Sequence, residues 1–298
     1  MRRVLVIGAQ GLVGSHLMRE CNRHWATAGT THRSAKPPHR QLDIQQSSAV
    51  SDFIQQLEPA VIFHTAALTH VDHCETHADE SHAVNVEGTR AVLEAAAQVS
   101  ATVVFFSSDY VFDGTAGPYA EDDTPNPLNV YGQHKLAAEE LVLKTGSQHL
   151  VIRTTGVFGW ELKGNNFVAR LVQSLNQRQP VSIPADQIST PTYALYLAKA
   201  IVQLVQRQLG GMYHVAGSDV LSRFAFAKQV AQVFGLDEKL LQSESTTALD
   251  QTAKRPLHSG LKNLKLSAAI ELPPVTCLQA LTHMQSHRPA DLPAEPAP

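Results

Sequence analysis

A tyrosine and a lysine one helical turn apart, Tyr131 and Lys135 in the run YGQHK, are the residues of this 298-residue chain best suited by type and spacing to chemistry. On a helix, positions i and i+4 project from the same face, so the phenol and the ammonium share one space. A phenol with an ordinary pKa of about 10 is a poor acid–base group near neutral pH, and a nearby ammonium stabilises its anion. The pair suits a reaction that builds negative charge on a carbonyl oxygen and then protonates it, as when hydride reaches a ketone. Of the six tyrosines only Tyr131 has a lysine at i+4. Ser108 follows an apolar run at 102–106 and so stands at the carboxyl end of an expected strand, where it can donate to the same oxygen.

Hydride needs a carrier, and the start of the chain offers a place for one. GAQGLVG sets Gly8, Gly11 and Gly14 between an apolar run at 4–7 and a helical stretch. A tight strand-to-helix turn needs glycines where the backbone bends, approaches a pyrophosphate and packs on the sheet, and the helix N-terminus then faces the phosphates. Chains that hold NAD usually carry an acid about 20 residues further on. Here no Asp or Glu occurs between Glu20 and Asp43, and the second strand ends instead in Thr31, His32, Arg33 and Ser34. Arg33 can pair with a 2′-phosphate that a carboxylate would repel, which points to NADP(H) in preference, with NAD(H) as the alternative.

The elements that must position these residues are legible in the hydrophobic rhythm. Short strand-like runs at 4–7, 60–63, 102–106 and 150–152, with a weaker one at 26–31, alternate with helical stretches at 83–99 and 131–143. Such alternation predicts an α/β fold with a Rossmann-type doubly wound parallel sheet. After about residue 156 helices dominate, at 166–176, 193–206 and 222–234, with a short strand at 212–215 and with Thr192 and Ser222 as expected N-caps. The expected organisation is a cofactor-binding domain at 1–158, a smaller and mostly helical substrate-binding lobe at 159–285, partly interleaved with the first, and a disordered Pro- and Ala-rich tail at 286–298.

Composition narrows the function further. The chain is 43% hydrophobic and 17% charged with a formal charge of −3, and its basic residues are scattered, so no nucleic-acid partner is expected. Cys21, Cys74 and Cys277 are widely spaced with no CxxC pair, so neither a disulfide framework nor a thiolate metal site is indicated, which suits reduced thiols in a cytoplasm. No apolar run is long enough for a signal peptide or a bilayer span, so no membrane association is expected. His70, His73, His77 and His82 make a histidine-rich patch that reads as a solvated loop-to-helix edge with no metal.

SSDYVFDG, PYAEDDTPNPLNVYGQHKLAAEE, HTAALTHVDHCE, AVNVEGTRAV, VIRTTGVFG, GNNF, DQISTPT, GMYHVAG and KRPLHSGLKNLKL occur in order along the chain. Through them the sequence resembles the extended short-chain dehydrogenase/reductase superfamily and, within it, the dTDP-4-dehydrorhamnose reductase family. The resemblance implies NADPH-dependent reduction of a nucleotide-activated 4-keto-6-deoxysugar in dTDP-L-rhamnose synthesis, by a catalytic trio of Ser108, Tyr131 and Lys135 with Tyr131 as proton donor. It also implies cofactor contacts from Gly8, Gln10, Gly11, Leu12, Val13, Arg33, Asp43, Ile44, His64, Thr65, Ala66, Ala67 and Ser107 as well as Tyr131 and Lys135. Substrate contacts would come from Ser108, Asp109, Val111, Asn166 and Arg255, the last as a cation for the diphosphate. Gly156 stands where such reductases commonly carry a Trp near the sugar. A homodimer is a further expectation, since dimers are frequent among relatives. The same branch contains the regulatory subunit of methionine adenosyltransferase, so a non-catalytic, NADP-binding partner protein is the alternative.

Overall fold

The computed structural model describes residues 2–32, 39–161 and 164–288. Six strands, β1 (Arg3–Ile7), β2 (Ala26–Thr31), β3 (Arg40–Gln41), β4 (Val61–His64), β5 (Thr102–Ser108) and β6 (Leu150–Thr154), form a parallel sheet together with the strand Gly211–His214. The order across the sheet is Gly211–His214, β6, β5, β4, β1, β2, β3. The chain therefore winds outwards in both directions from β1, and the boundary between β1 and β4 is the switch point where open α/β sheets bind ligands beyond their strand ends.

Strand alternation explains why both faces are covered. Val4 and Val6 enter one core cluster, with Leu17 of the helix Leu12–Cys21 and Ile201 of the helix Ala194–Gln206. Leu5 and Ile7 point the other way, into a cluster with Ile54, Val92 and Val142 from the helices Ser47–Leu57, Gly88–Gln98 and Val130–Thr145. On β5 the partition repeats, Val104 and Phe106 on the first face and Val103 and Phe105 on the second. A sheet buried on both sides needs near-continuous apolar runs, which is why β1, β4, β5 and β6 were readable from the sequence, whereas β2, ATAGTT, gave only a weak signal and the two-residue β3 gave none.

Several local expectations are sharpened or corrected. Ser222 caps the helix Arg223–Phe234 by accepting from Ala225 N, but Thr192 does not cap the helix that follows it. That helix starts at Ala194 with Tyr193 as N-cap, while Thr192 pairs in a short parallel ladder with Val157 and donates its hydroxyl to Thr190 O at 3.0 Å. The helix expected at 83–99 opens with a π-helical turn, Ala83–Glu87, and ends at Gln98. The strand near 212–215 is the seventh of the main sheet, in register with β6. Ser286 ends the helix Cys277–Ser286 rather than starting a tail, and residues 289–298 lie outside the described ones. Among the described residues no helix is long and apolar enough to cross a membrane.

Candidate active site

Tyr131 and Lys135 lie in the first two turns of the helix Val130–Thr145, whose start is fixed by its cap. Asn129 accepts from Gly132 N at 2.9 Å and, through its amide, donates to Lys254 O at 2.8 Å. The helix can sit close because Gly132 lacks a side chain; a Cβ there would fall 2.1 Å from Tyr110 O. Tyr131 and Lys135 then face a cavity of about 390 Å3 beyond the ends of β5 and β6, which Ser107, Ser108, Asp109, Thr154 and Gly156 also line.

The electrostatics of the trio differ from the expected picture in one respect. Lys135 is 4% exposed, donates Nζ to Phe106 O at 2.7 Å and lies 4.6 Å from the Phe105 ring centroid. Burial lowers its pKa to about 8, opposed by the Glu139 carboxylate one turn along, which Arg153 holds by two hydrogen bonds of 2.9 and 2.7 Å. Tyr131 was expected to be lowered by Lys135. Instead burial, the strongest influence, pushes the phenol above its usual value, the Asp109 charge adds to this, and a hydrogen bond with Ser108 opposes both. The bare protein thus keeps Tyr131 firmly protonated.

Ser108 donates to Asp109 Oδ1 at 2.9 Å and accepts from Tyr110 N at 3.2 Å. Asp109 is buried, and burial raises its pKa against the hydroxyls of Ser259, Thr155 and Ser108 that hydrogen-bond it. Gly156 has φ +51 and lines the cavity, with Pro191 Cα 3.5 Å from where a Cβ would stand, so nothing crowds that wall.

A second cavity, of about 400 Å3, lies over the glycine turn, and Thr65 and Ala67 belong to the walls of both. Gly8 takes φ +90, and a Cβ there would meet Thr65 Oγ1 at 2.7 Å and Ala66 N at 2.9 Å. At Gly14 a Cβ would fall 2.2 Å from Gly8 O, so both positions need glycine for the turn to close. The helix Leu12–Cys21 begins at Gly11 with no side-chain cap and no acid in its first turn, leaving N–H groups free for phosphate oxygens. Ser107 Oγ and Thr154 Oγ1 are buried without hydrogen-bond partners on the wall of the first cavity, as expected of groups that complete their bonding with a polar ligand. These features fit a dinucleotide.

Of the residues expected at the cofactor, Gly8, Gln10, Gly11, Asp43, Ile44, Thr65, Ala66 and Ala67 line the second cavity, and Leu12, Val13 and Ser107 the first. Asp43 turns one oxygen to Gln45 N at 3.0 Å. His64 lies behind the wall: it is 1% exposed, contacts Thr89 Oγ1 at 3.1 Å, and burial lowers its pKa to about 3. Arg33 lies outside the described residues.

The expected substrate residues divide. Ser108 and Asp109 are on the cavity wall, but the Val111 side chain is buried with Phe112, Tyr119 and Leu261. Asn166 caps the helix Phe167–Asn176 by accepting from Ala169 N and donates to Gly159 O. Arg255 is off that wall, bonded to Asp72 at 2.7 Å. Thr155, Gln187, Arg223 and Ser259, none of them among the expected residues, are also on the wall. Thr155, Gln187 and Ser259 lie within VIRTTGVFG, DQISTPT and KRPLHSGLKNLKL, whereas nothing in the sequence singles out Arg223. In the histidine patch, His70 caps the helix Val71–Thr76 by accepting from His73 N, His73 meets Glu80 at 2.8 Å, and the His73 and His77 rings stack.

Comparison with known proteins gives this geometry a family. The family model described as the RmlD substrate binding domain matches residues 1–288. A dTDP-4-dehydrorhamnose reductase from Aggregatibacter actinomycetemcomitans is 30% identical over 96% of this chain and 99% of its own. The crystal structure of a dTDP-4-dehydrorhamnose reductase from Bacillus anthracis in complex with NADP superimposes with a TM-score of 0.88 at 31% identity, covering 96% of this chain and 99% of that one. Methionine adenosyltransferase 2 subunit beta from Bos taurus is 32% identical over 81% of this chain and 75% of its own. The chain belongs to the RmlD family of extended short-chain dehydrogenase/reductases.

Proposed function

We propose that this protein is an NADPH-dependent reductase of a nucleotide-activated 4-keto-6-deoxysugar, converting dTDP-4-dehydrorhamnose to dTDP-L-rhamnose. The observation that carries this reading is the meeting of Ser108, Tyr131 and Lys135 on one cavity whose wall continues, through Thr65 and Ala67, into the cavity over the glycine turn. The relative of known structure that holds NADP supports the choice of cofactor, as does the absence of an acid from Val4 through Gln41 other than Glu20.

Bound NADPH would supply the hydride that reaches the sugar ketone. Its phosphates would rest on the N–H groups that Gly11 leaves uncapped. Tyr131, protonated, donates to the carbonyl oxygen and gives up its proton as the alcohol forms. Ser108 turns its proton from Asp109 to the same oxygen, and Asp109 retains the hydroxyls of Thr155 and Ser259. Lys135 has one N–H on Phe106 O, which fixes its direction, and two more to stabilise the tyrosinate and hold the nicotinamide ribose. The buried, unpaired cysteines suit a reducing cytoplasm.

Similarity to the methionine adenosyltransferase subunit favours a second reading, a cofactor-binding regulatory chain. Turnover separates the two. Purified protein mixed with NADPH and dTDP-4-dehydrorhamnose should consume nicotinamide absorbance in proportion to added sugar. Absence of oxidation with this and related keto-sugars, alongside stoichiometric capture of a methionine adenosyltransferase, would establish the second.

A further inference from the structure

A nucleotide sugar brings a diphosphate with about two negative charges to a site built for a neutral ketone, and the protein must meet that charge. Among the described residues lining the first cavity the only Lys or Arg side chains are Lys135 and Arg223. Lys135 is committed to Phe106 O at the catalytic end. Arg255, the cation that the family resemblance suggests for the diphosphate, is 9% exposed, bonded to Asp72 Oδ2 at 2.7 Å and 5.9 Å from the Tyr110 ring centroid. Asp72 also accepts from Ala253 N at 3.0 Å, so this ion pair fastens the segment that carries Arg255 to the helix Val71–Thr76.

Arg223 is placed differently. Leu221 and Ser222 pair antiparallel with Ser189 and Ile188, and Arg223 N donates to Gln187 O at 2.8 Å. Its backbone is therefore fixed to the ribbon that forms one wall of the cavity, beside Gln187, Ile188 and Ser189. Its guanidinium lies 5.2 Å from the Phe167 ring centroid, and no ion pair occupies it among the described residues. A half-buried arginine whose guanidinium lies over a ring and has no carboxylate partner is free to take an oxyanion in bidentate fashion.

We infer that Arg223 is the residue that binds the diphosphate of the nucleotide-sugar substrate, while Arg255 serves with Asp72 to hold the wall in place. The inference rests on the proposed reductase function and assigns its substrate a charge anchor. Arg223 stays off the reacting atoms, so its loss falls on KM for the nucleotide sugar and leaves kcat nearly unchanged.

The test is calorimetric binding of dTDP and of thymidine to the NADPH-loaded protein, in wild type, Arg223→Ala, Arg223→Lys and Arg255→Ala, with NADPH affinity as the check on folding. Arg223→Ala should bind dTDP about ten- to a hundredfold more weakly, with thymidine and NADPH affinities unchanged and partial recovery in Arg223→Lys. Wild-type dTDP affinity in Arg223→Ala overturns the assignment, as does a selective loss of dTDP in Arg255→Ala alone. If the wild type binds neither dTDP nor a dTDP-sugar, the reductase reading itself falls, a result distinct from retained binding in the variant.

Discussion

The proton chemistry of the site is set by how little water reaches it. Tyr131 is held protonated by burial and by the neighbouring Asp109 charge, so the proposed proton donor has a proton to give across the neutral range. Lys135 is the group that titrates near working pH, because burial brings it from 10.5 to about 8. Its folded pKa lies below its unfolded one, so as pH rises through about 8 the folded protein loses the ammonium while an unfolded chain would keep it. In the proposed mechanism the ammonium supports the tyrosinate and the ribose, so kcat/KM should fall above pH 8 with a slope of about one proton. A profile of initial rates from pH 6 to 10 checks this, and a flat profile to pH 10 would remove Lys135 from that role. That Ser108, Tyr131 and Lys135 meet on one cavity was legible from the helical spacing taken with the strand end and the glycine turn, but the direction of the Tyr131 shift was not, since burial depends on what packs around the phenol. The same holds for Arg255 and Arg223: which arginine is neutralised is decided by Asp72, a residue 183 positions from Arg255 in the chain.

At the level of elements, the proposed catalytic pair depends on where one helix begins. Asn129, 1% exposed, both caps the helix Val130–Thr145 and fastens Lys254 O. Asn129→Ala should cost about 2 kcal/mol of stability, through the lost cap and an unpaired buried carbonyl, and should lower kcat as Tyr131 loses its setting. Denaturant unfolding and steady-state rates measured together check this; unchanged stability would mean that the cap is dispensable. Elements with a strong internal signature were readable: the apolar runs of β1, β4, β5 and β6, and the Ser222 cap. Thr192 looks like a cap by residue type, yet its pairing with Val157 draws it into a ladder, a long-range event that local propensity cannot report. The π-helical turn Ala83–Glu87 was equally hidden, although Asn85 there donates to Leu68 O at 3.0 Å and accepts from Leu68 N at 3.0 Å.

Across the whole molecule, the sheet order and its switch point place the two cavities side by side; the glycine turn with its following helix pointed to a dinucleotide, but the strand order and the second cavity did not show in the sequence. The return of the strand Gly211–His214 to the main sheet did not show, because strand neighbours are set by tertiary packing. Among the histidines that folding buries in neutral form, three carry large shifts: His16 is lowered to about 4, and His64 and His214 to about 3, in each case mainly by burial. Their folded pKa values lie below the unfolded 6.5, so below pH 6.5 an unfolded chain takes up protons that the folded protein refuses. Stability should therefore drop as pH falls from 6.5 towards 4, by roughly 1.4 kcal/mol per pH unit for each histidine. Thermal unfolding across that range reads the slope, and pH-independent melting would contradict the buried neutral state. In the proposed reaction Tyr131 protonates a sugar ketone as hydride arrives from NADPH. This step is tested most directly by mass spectrometry of the sugar formed from dTDP-4-dehydrorhamnose and NADPH deuterated at nicotinamide C4, in wild type and in Tyr131→Phe. One deuterium at sugar C4 in the wild type, with product formation reduced at least about a hundredfold in Tyr131→Phe, is the predicted result. A product without deuterium, or equal turnover by the two proteins, would contradict the account.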